Sequence, residues 1–421
     1  MSRRLFLKFL LALGLVKYFP NLAEAAPISD RDYKNFSLNV EQLITADART
    51  SRVLMWRSEK PLVDARVEFR LVGEDELHSI RADFSICDGL HIYSCRLQEL
   101  KPESVYAYRI VEGERATDWK RFSTPGFGNF QMLIFCDSQC VNYGVWKSVA
   151  DLASKKFPDA ELATVIGDLT DNGQYAPGWR GWHAGAAQLL STRIFAPVMG
   201  NHECYEAVNW LNCIPVGYLN HFVLPSNGRK KFDRYFYSFD YGSVHFIVLN
   251  TQFDELEPLM PGLEGEQQYW LRRDSANCNR PWQIVLMHKD VFDYMSNDFS
   301  DVGNRLMPLF DELGIDLVLT GHLHTYRNRG HIFEKKKADH GPVYVMCGLA
   351  GDQRYREKIS AEFDDVAATP KDNYLVLDAD AESLRLRCFS IDGSVIDDFS
   401  LPKPARSKRS LPLISRMGYR T

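Results

Sequence analysis

The chain has 421 residues, more than one hydrophobic core usually serves, so at least two folding units are expected. Apolar residues make up 45% and charged residues 25%, which excludes a disordered, collagenous or multi-span membrane chain. The 50 basic and 55 acidic residues give a net charge of −5, which argues against dedicated nucleic-acid binding.

In chain order, the first element reads as an address. Ser2-Arg3-Arg4-Leu5-Phe6-Leu7-Lys8 precedes an apolar stretch to Val16, and Ala23-Glu24-Ala25 follows. A basic start, a short apolar segment and a small-x-small site predict a signal peptide over residues 1–25. The stretch is too short to span a bilayer comfortably. The paired arginines resemble the twin-arginine export motif, which implies a periplasmic or secreted bacterial protein that folds before export. Cleavage after Ala25 leaves 46 basic and 54 acidic residues, a net charge of −8 and no stable transmembrane segment.

Residues 37–124 read as a β-sandwich of short strands. Arg52–Trp56, Ala65–Arg70 and Val105–Ile110 are three of them, the last two alternating with period two. Leu100-Lys101-Pro102 with Tyr106 resembles the tyrosine corner of fibronectin-type and immunoglobulin-like modules. No catalytic cluster lies here, so the module is expected to pack and position. A turn-rich joint follows at 124–129.

From Phe130 the pattern changes. Strongly apolar runs at 130–136, 162–166, 194–199, 244–249, 282–287 and 315–319 alternate with mixed-charge stretches. Runs apolar on both faces predict strands covered on both sides. Gln267–Arg273 and Asn304–Leu313 read as amphipathic helices. The segment 401–421 carries Lys403, Arg406, Lys408, Arg409, Arg416 and Arg420 without an acid, a basic tail. Of nine cysteines, Cys87/Cys95, Cys136/Cys140 and Cys204/Cys213 lie close enough in sequence to pair in an oxidising compartment.

Five of the apolar runs end in chemistry. They deliver Asp137, then Gly167-Asp168-Leu169-Thr170-Asp171, then Gly200-Asn201-His202-Glu203, then His288, then Gly321-His322-Leu323-His324. In α/β sheets the ligand site lies beyond the carboxyl ends of the strands. Two carboxylates, an amide oxygen and three imidazoles gathered at one edge exceed a single closed zinc shell. Such a set suits two cations sharing a carboxylate, and its mixed O and N donors suit Zn, Mn, Fe or Co.

The ordered set over residues 130–350 resembles the calcineurin-like metallophosphoesterases. With the preceding β-module, the chain is most similar to their purple acid phosphatase branch. The resemblance implies a four-layer α/β/β/α fold over 129–400, preceded by the fibronectin/immunoglobulin-like sandwich. It implies two divalent metals: Asp137 and His324 on the first, Asn201, His288 and His322 on the second, and Asp168 bridging. It implies hydrolysis of a phosphate ester, a monoester favoured, by in-line attack of a metal-bound hydroxide with His202 as acid. Alternatives are a phosphodiesterase of the same fold and an exported binding protein without turnover.

Two positions depart from the family pattern. Gln139 stands where the family commonly has His, and could offer only a weaker carbonyl oxygen to a metal. Asp171 stands where purple acid phosphatases carry the coloured tyrosinate, which predicts a colourless enzyme. Asp171, Asn172 and Glu203 are expected to support the ligands, and Tyr326 to touch substrate. His183, His221 and His245, in apolar surroundings, read as structural, and the aromatics Tyr143, Trp146, Tyr175, Trp179, Trp182 and Tyr205 as packing or substrate-stacking residues.

Overall fold

A computed structural model describes residues 39–226, 229–293, 298–354, 362–368 and 371–403. The signal peptide expected at 1–25, and all of the basic tail beyond Lys403, lie outside the described residues.

Nine short strands form the N-terminal part: β1 (Glu41–Leu43), β2 (Arg52–Ser58), β3 (Arg66–Leu71), β4 (His78–Arg81), β5 (Asp83–Cys87), β6 (Leu90–Leu97), β7 (Val105–Glu112), β8 (Arg115–Ala116) and β9 (Lys120–Ser123). Strands β3, β4, β7, β8 and β9 make one antiparallel sheet. Strands β1, β2, β6 and β5 make the facing one, and Leu54, Trp56, Val67, Tyr93, Tyr108 and Phe122 fill the space between. The Tyr106 hydroxyl accepts the Lys101 N–H at 2.8 Å, the tyrosine corner read from the sequence.

The remaining strands build two large sheets. The first holds β10 (Phe130–Phe135), β11 (Leu162–Val165), β12 (Ile194–Phe195), β21 (Asn373–Ala379), β22 (Ser383–Ser390) and β23 (Val395–Pro402). The second holds β13 (Tyr237–Tyr241), β14 (Val244–Leu249), β15 (Trp282–Met287), β16 (Leu317–Thr320), β17 (Tyr326–Phe333), β18 (Lys336–Lys337), β19 (Val343–Cys347) and β20 (Val366–Ala367). In the first, β10, β11 and β12 run parallel; in the second, β14, β15, β16 and β19 do. One continuous core includes residues of both sheets.

Helices cover the outer faces: α1 (Gly144–Lys156), α2 (Ala176–Gly185), α3 (Ala187–Thr192), α4 (Val216–His221), α5 (Phe253–Leu256), α6 (Leu263–Asn277) and α7 (Asp301–Leu313). This is the expected α/β/β/α layering. Ser300 caps α7 by accepting the Gly303 N–H at 3.0 Å, and Gly314 ends it with φ +61°.

The β-module is not hydrogen-bonded apart from the rest. Strand β1 pairs parallel with β12, so β1, β2, β6 and β5 extend the first large sheet to ten strands. Alternate residues of β2 then serve two cores. Leu54 and Trp56 enter the sandwich, while Val53 and Met55 enter the large core.

Two expectations are corrected here. No disulfide joins any of the nine cysteines, all of which lie among the described residues. Cys87 packs in the large core and Cys95 in the sandwich core, on opposite faces of one sheet, so these two cannot meet. The Cys136 thiol is turned instead toward the carbonyls of Ile166 and Thr320. Cys204 and Cys213 face one another across a hairpin neck, joined by a main-chain bond of 2.8 Å and not by their sulfurs. The basic tail also begins later than expected. Leu401 and Pro402 belong to β23, and Lys403 pairs with Asp316 at 2.7 Å and lies over the Trp282 ring.

Candidate metal centre

The carboxyl ends of the parallel strands in both sheets converge. Asp137 follows β10, Asp168 follows β11, His288 follows β15 and His322 follows β16. Asn201 and His202 lie just beyond Val198, which bridges to Ile166 at the end of β11. All eight candidate residues from the five motifs, Asp137, Gln139, Asp168, Asn201, His202, His288, His322 and His324, are brought to one edge.

Asp137, Asp168, His322 and His324 all have φ between +47° and +76°. Non-glycine residues seldom adopt this left-handed region, and such departures cost about 1–3 kcal/mol each. Four at one site are held there by surrounding contacts. The adjacent glycines are equally constrained. A Cβ on Gly200 would lie 2.1 Å from Asp168 Oδ1, and one on Gly167 2.2 Å from His288 Nδ1.

Two groups of donors result, and they share Asp168. Asp168, His288 and His322 form one; Asp137, Asp168 and His324 form the other. Within each group the ligand atoms lie within 4.8 Å of one another. The donor chemistry favours cations. His288 Nδ1 lies 2.9 Å from the Ile166 carbonyl and His324 Nδ1 2.7 Å from the Gln353 carbonyl, which places the ring proton on Nδ1 in both. Their Nε2 atoms then face Asp168 Oδ2 and Asp137 Oδ1, each at 3.2 Å. A lone pair against a carboxylate oxygen is tolerated only with a proton or a metal between them. Asn201 Oδ1, 3.0 Å from His288 Nε2, adds a neutral oxygen to the same space.

Gln139 is oriented the same way. One end of its amide lies 3.0 Å from the Asp168 carbonyl and 3.2 Å from that of Asp137. Only an NH2 satisfies two carbonyls, so the amide oxygen is the end facing Asp168 Oδ2 and His324 Nε2 at 3.4 and 3.3 Å. The carbonyl oxygen anticipated from the sequence is therefore aimed into the donor group of Asp137, Asp168 and His324.

The supporting residues divide. Glu203 is buried and takes four main-chain N–H groups: Asp168 and Gly200 on Oε2 at 3.0 and 2.7 Å, Leu169 and Thr170 on Oε1 at 3.0 and 3.3 Å. It thereby fixes the turn that presents Asp168. Burial and the neighbouring Asp168 push its carboxyl up to about 7, against the pull of those donors. Asp171 offers its carbonyl to His202 Nδ1 at 2.8 Å, and its carboxylate accepts from the Gln353 amide. Asn172 touches none of the donors; it ties this loop to the next by donating to the Glu206 carbonyl at 2.8 Å. Tyr326 is displaced from the role expected of it. It is buried in β17, and its hydroxyl donates to Asp397 at 2.8 Å.

His202 Nε2 lies 3.7 Å from Asp168 Oδ2, and the side chain is 15% exposed, against 2% or less for Asp137, Asp168, His288 and His324. Burial opposes charge on this ring, but Asp168 and the Asp171 carbonyl raise its pKa above the ordinary histidine value. Three neighbours were not singled out in the sequence. Gln353 holds both His324 and Asp171. Lys289 pairs at 2.8 Å with Glu255, which accepts from Tyr205. Trp210 meets the His202 ring edge-on. Their positions come from loops without a pattern; only the step from His288 to Lys289 could have drawn notice. Of the aromatics flagged beforehand, Trp146, Trp179 and Trp182 are fully buried packing residues, Tyr205 meets the His202 ring, and the buried Tyr143 hydroxyl accepts the Asp171 N–H at 3.3 Å.

Residues 132–326 match the profile of the calcineurin-like phosphoesterase family. Among curated relatives, purple acid phosphatase 23 of Arabidopsis thaliana is 27% identical over 218 residues, 50% of this chain and 43% of the relative. Purple acid phosphatase 15 of the same plant is 26% identical over 312 residues, 65% of this chain and 56% of the relative. The chain thus spans about half the length of these relatives. Among solved structures, purple acid phosphatase PPD1 from yellow lupin (Lupinus luteus) seeds superposes with a TM-score of 0.73 at 19% identity, covering 86% of this chain and 74% of that one. PhoD superposes with a TM-score of 0.61 at 15% identity, covering 91% and 92%. At such identities the superpositions establish the fold.

Proposed function

Because the chain carries a calcineurin-like phosphoesterase domain, we propose that it is an exported two-metal phosphoesterase acting on phosphate monoesters. The observation that carries this reading is the pair of donor groups sharing Asp168, with His202 beside them. Asp137, Asp168, His324 and the Gln139 oxygen would hold one divalent ion. Asp168, Asn201, His288 and His322 would hold the other. Zn, Mn, Fe or Co suits these donors. Held there, two cations would lower the pKa of a water toward neutrality and neutralise phosphate oxygens.

The protein's own residues do the rest. Glu203 holds the Asp168 turn in place. The Asp171 carbonyl keeps the His202 proton on Nδ1, so Nε2 is the atom that carries and delivers a second proton to the leaving oxygen. Asp171 spends its carboxylate on Gln353, which supports a colourless centre in place of the tyrosinate type. Among the described residues no helix is long and apolar enough to cross a membrane.

The test is metal analysis of purified protein with side-by-side assays on phenyl phosphate and bis-phenyl phosphate. Two metals per chain and faster monoester hydrolysis are expected. His202→Ala should keep both metals and lose about 10²–10⁴-fold in kcat. Faster diester hydrolysis would replace the monoesterase reading. A metal-loaded wild type that cleaved neither ester would leave a binding protein.

A further inference from the structure

Resting on the phosphoesterase reading, we propose that Trp210 forms the wall of a leaving-group subsite, and that the favoured substrates are phosphate esters of aromatic alcohols. Trp210 is 40% exposed, with φ +60°, an unusual conformation for a bulky residue. Its ring centroid lies 5.7 Å from that of His202, at 87°, and 6.0 Å from that of Tyr205. Tyr205 in turn meets His202 edge-on at 5.8 Å. The proposed proton donor is thus flanked by two aromatic rings.

The geometry points to the alcohol and away from the phosphate. A general acid must stand against the leaving oxygen. Rings packed against the acid therefore border the group attached to that oxygen. An aryl ring bonded directly to the oxygen comes within stacking range of a wall that touches the acid's own ring. A polyhydroxy alcohol there would set its hydroxyls against apolar faces. Val208 and Leu211 of the same segment, 75% and 64% exposed, add further exposed apolar surface.

The wall is fixed at its base. The segment 204–213 is a hairpin closed by Glu206 N–H to Leu211 O and Cys213 N–H to Cys204 O, at 2.9 and 2.8 Å. Asn172 anchors it to the Asp168 loop. An exposed tryptophan on such a hairpin is set toward the centre before substrate arrives, so little ordering is left to binding.

The experiment compares kcat/KM for phenyl phosphate and glycerol 2-phosphate with metal-loaded full-length protein. Each variant is its own control for the chemical step. In Trp210→Ala the ratio of phenyl to glycerol ester should fall about tenfold, mostly through KM for the phenyl ester. Trp210→Phe should restore most of it. Trp210→Leu, which keeps bulk without a π face, gives the same comparison should the alanine variant fail to fold. Hydrolysis of both esters with an unchanged ratio in Trp210→Ala and Trp210→Leu would overturn the subsite and leave the phosphoesterase reading standing. So would an equal fall for both esters, which would make Trp210 a support for His202. A wild type inactive on both would overturn the two together.

Discussion

Glu203 shows how a single carboxylate can govern a centre it does not enter. Its four N–H partners lie on two of the loops that carry candidate ligands, those of Asp168 and Asn201. Glu203→Gln keeps the shape but turns an NH2 toward two N–H donors, which is repulsive. We expect metal content at a fixed free concentration, read by elemental analysis, to fall 10–100-fold in affinity, with activity falling in parallel. Unchanged affinity would mean the loop is held by other contacts. Residues such as Asp168 and His288 were legible beforehand because side-chain chemistry ended each apolar run. Gln353 was not, because its main part is played by a backbone carbonyl, and any residue supplies one. Tyr326 was misread because sequence nearness to His324 says nothing about direction. Two residues on from a ligand, β17 has already turned its side chain toward β23.

At the scale of elements, buried polar groups stitch neighbours together. His245 on β14 faces its register partner Asp240 on β13 at 2.7 Å and Asp274 on α6 at 2.9 Å. Burial disfavours its charge, yet the two carboxylates raise its pKa to about 9. A raised histidine pKa stabilises the fold fully below about pH 6.5, and the contribution disappears as pH rises through 9. Wild type should therefore exceed His245→Gln by about 2 kcal/mol in urea unfolding at pH 6, with the gap closing by pH 10. A gap that stayed constant across that range would show the contact to be uncharged. The sequence showed His245 as structural, but its partners lie on a hairpin and a helix that only the fold brings together. Strand positions were largely legible from apolar runs. The run at 194–199 gave a two-residue strand, Ile194–Phe195, beyond which Ala196 and Val198 still donate to the Ala163 and Val165 carbonyls at 2.9 and 3.0 Å.

For the whole molecule, the joint between sandwich and α/β layers is the decisive feature. Composition and turns at 124–129 point to two units, and chain connectivity agrees. Hydrogen bonding does not, because β1 lies against β12, some 150 residues away. A trace of this was present in Val53-Leu54-Met55-Trp56, four apolar residues in a row where a sandwich strand facing water would alternate. The face carrying Val53 and Met55 also carries Arg57. Its guanidinium binds Glu41 at 2.8 Å, His221 Nδ1 at 3.2 Å and the His221 carbonyl at 2.9 Å. His183 meets the same Glu41 oxygen at 2.6 Å, and Trp179 stacks on His221. Both members of the ion pair are at most 2% exposed. A buried pair contributes modestly when intact, but removing one partner strands the other charge, at about 3–5 kcal/mol. Two consequences can be measured together. Hydrogen exchange along a urea series should show β6 and β15 unfolding in one coincident transition. Arg57→Leu, which removes a contact between a sandwich strand and His221 of the α/β part, should move both to lower urea by the same amount. Separate transitions, with only β6 shifted, would mean that the sandwich folds as an independent bead. Coincidence would mean that the ten-stranded sheet makes the sandwich a structural wall of the domain that carries the candidate metal ligands.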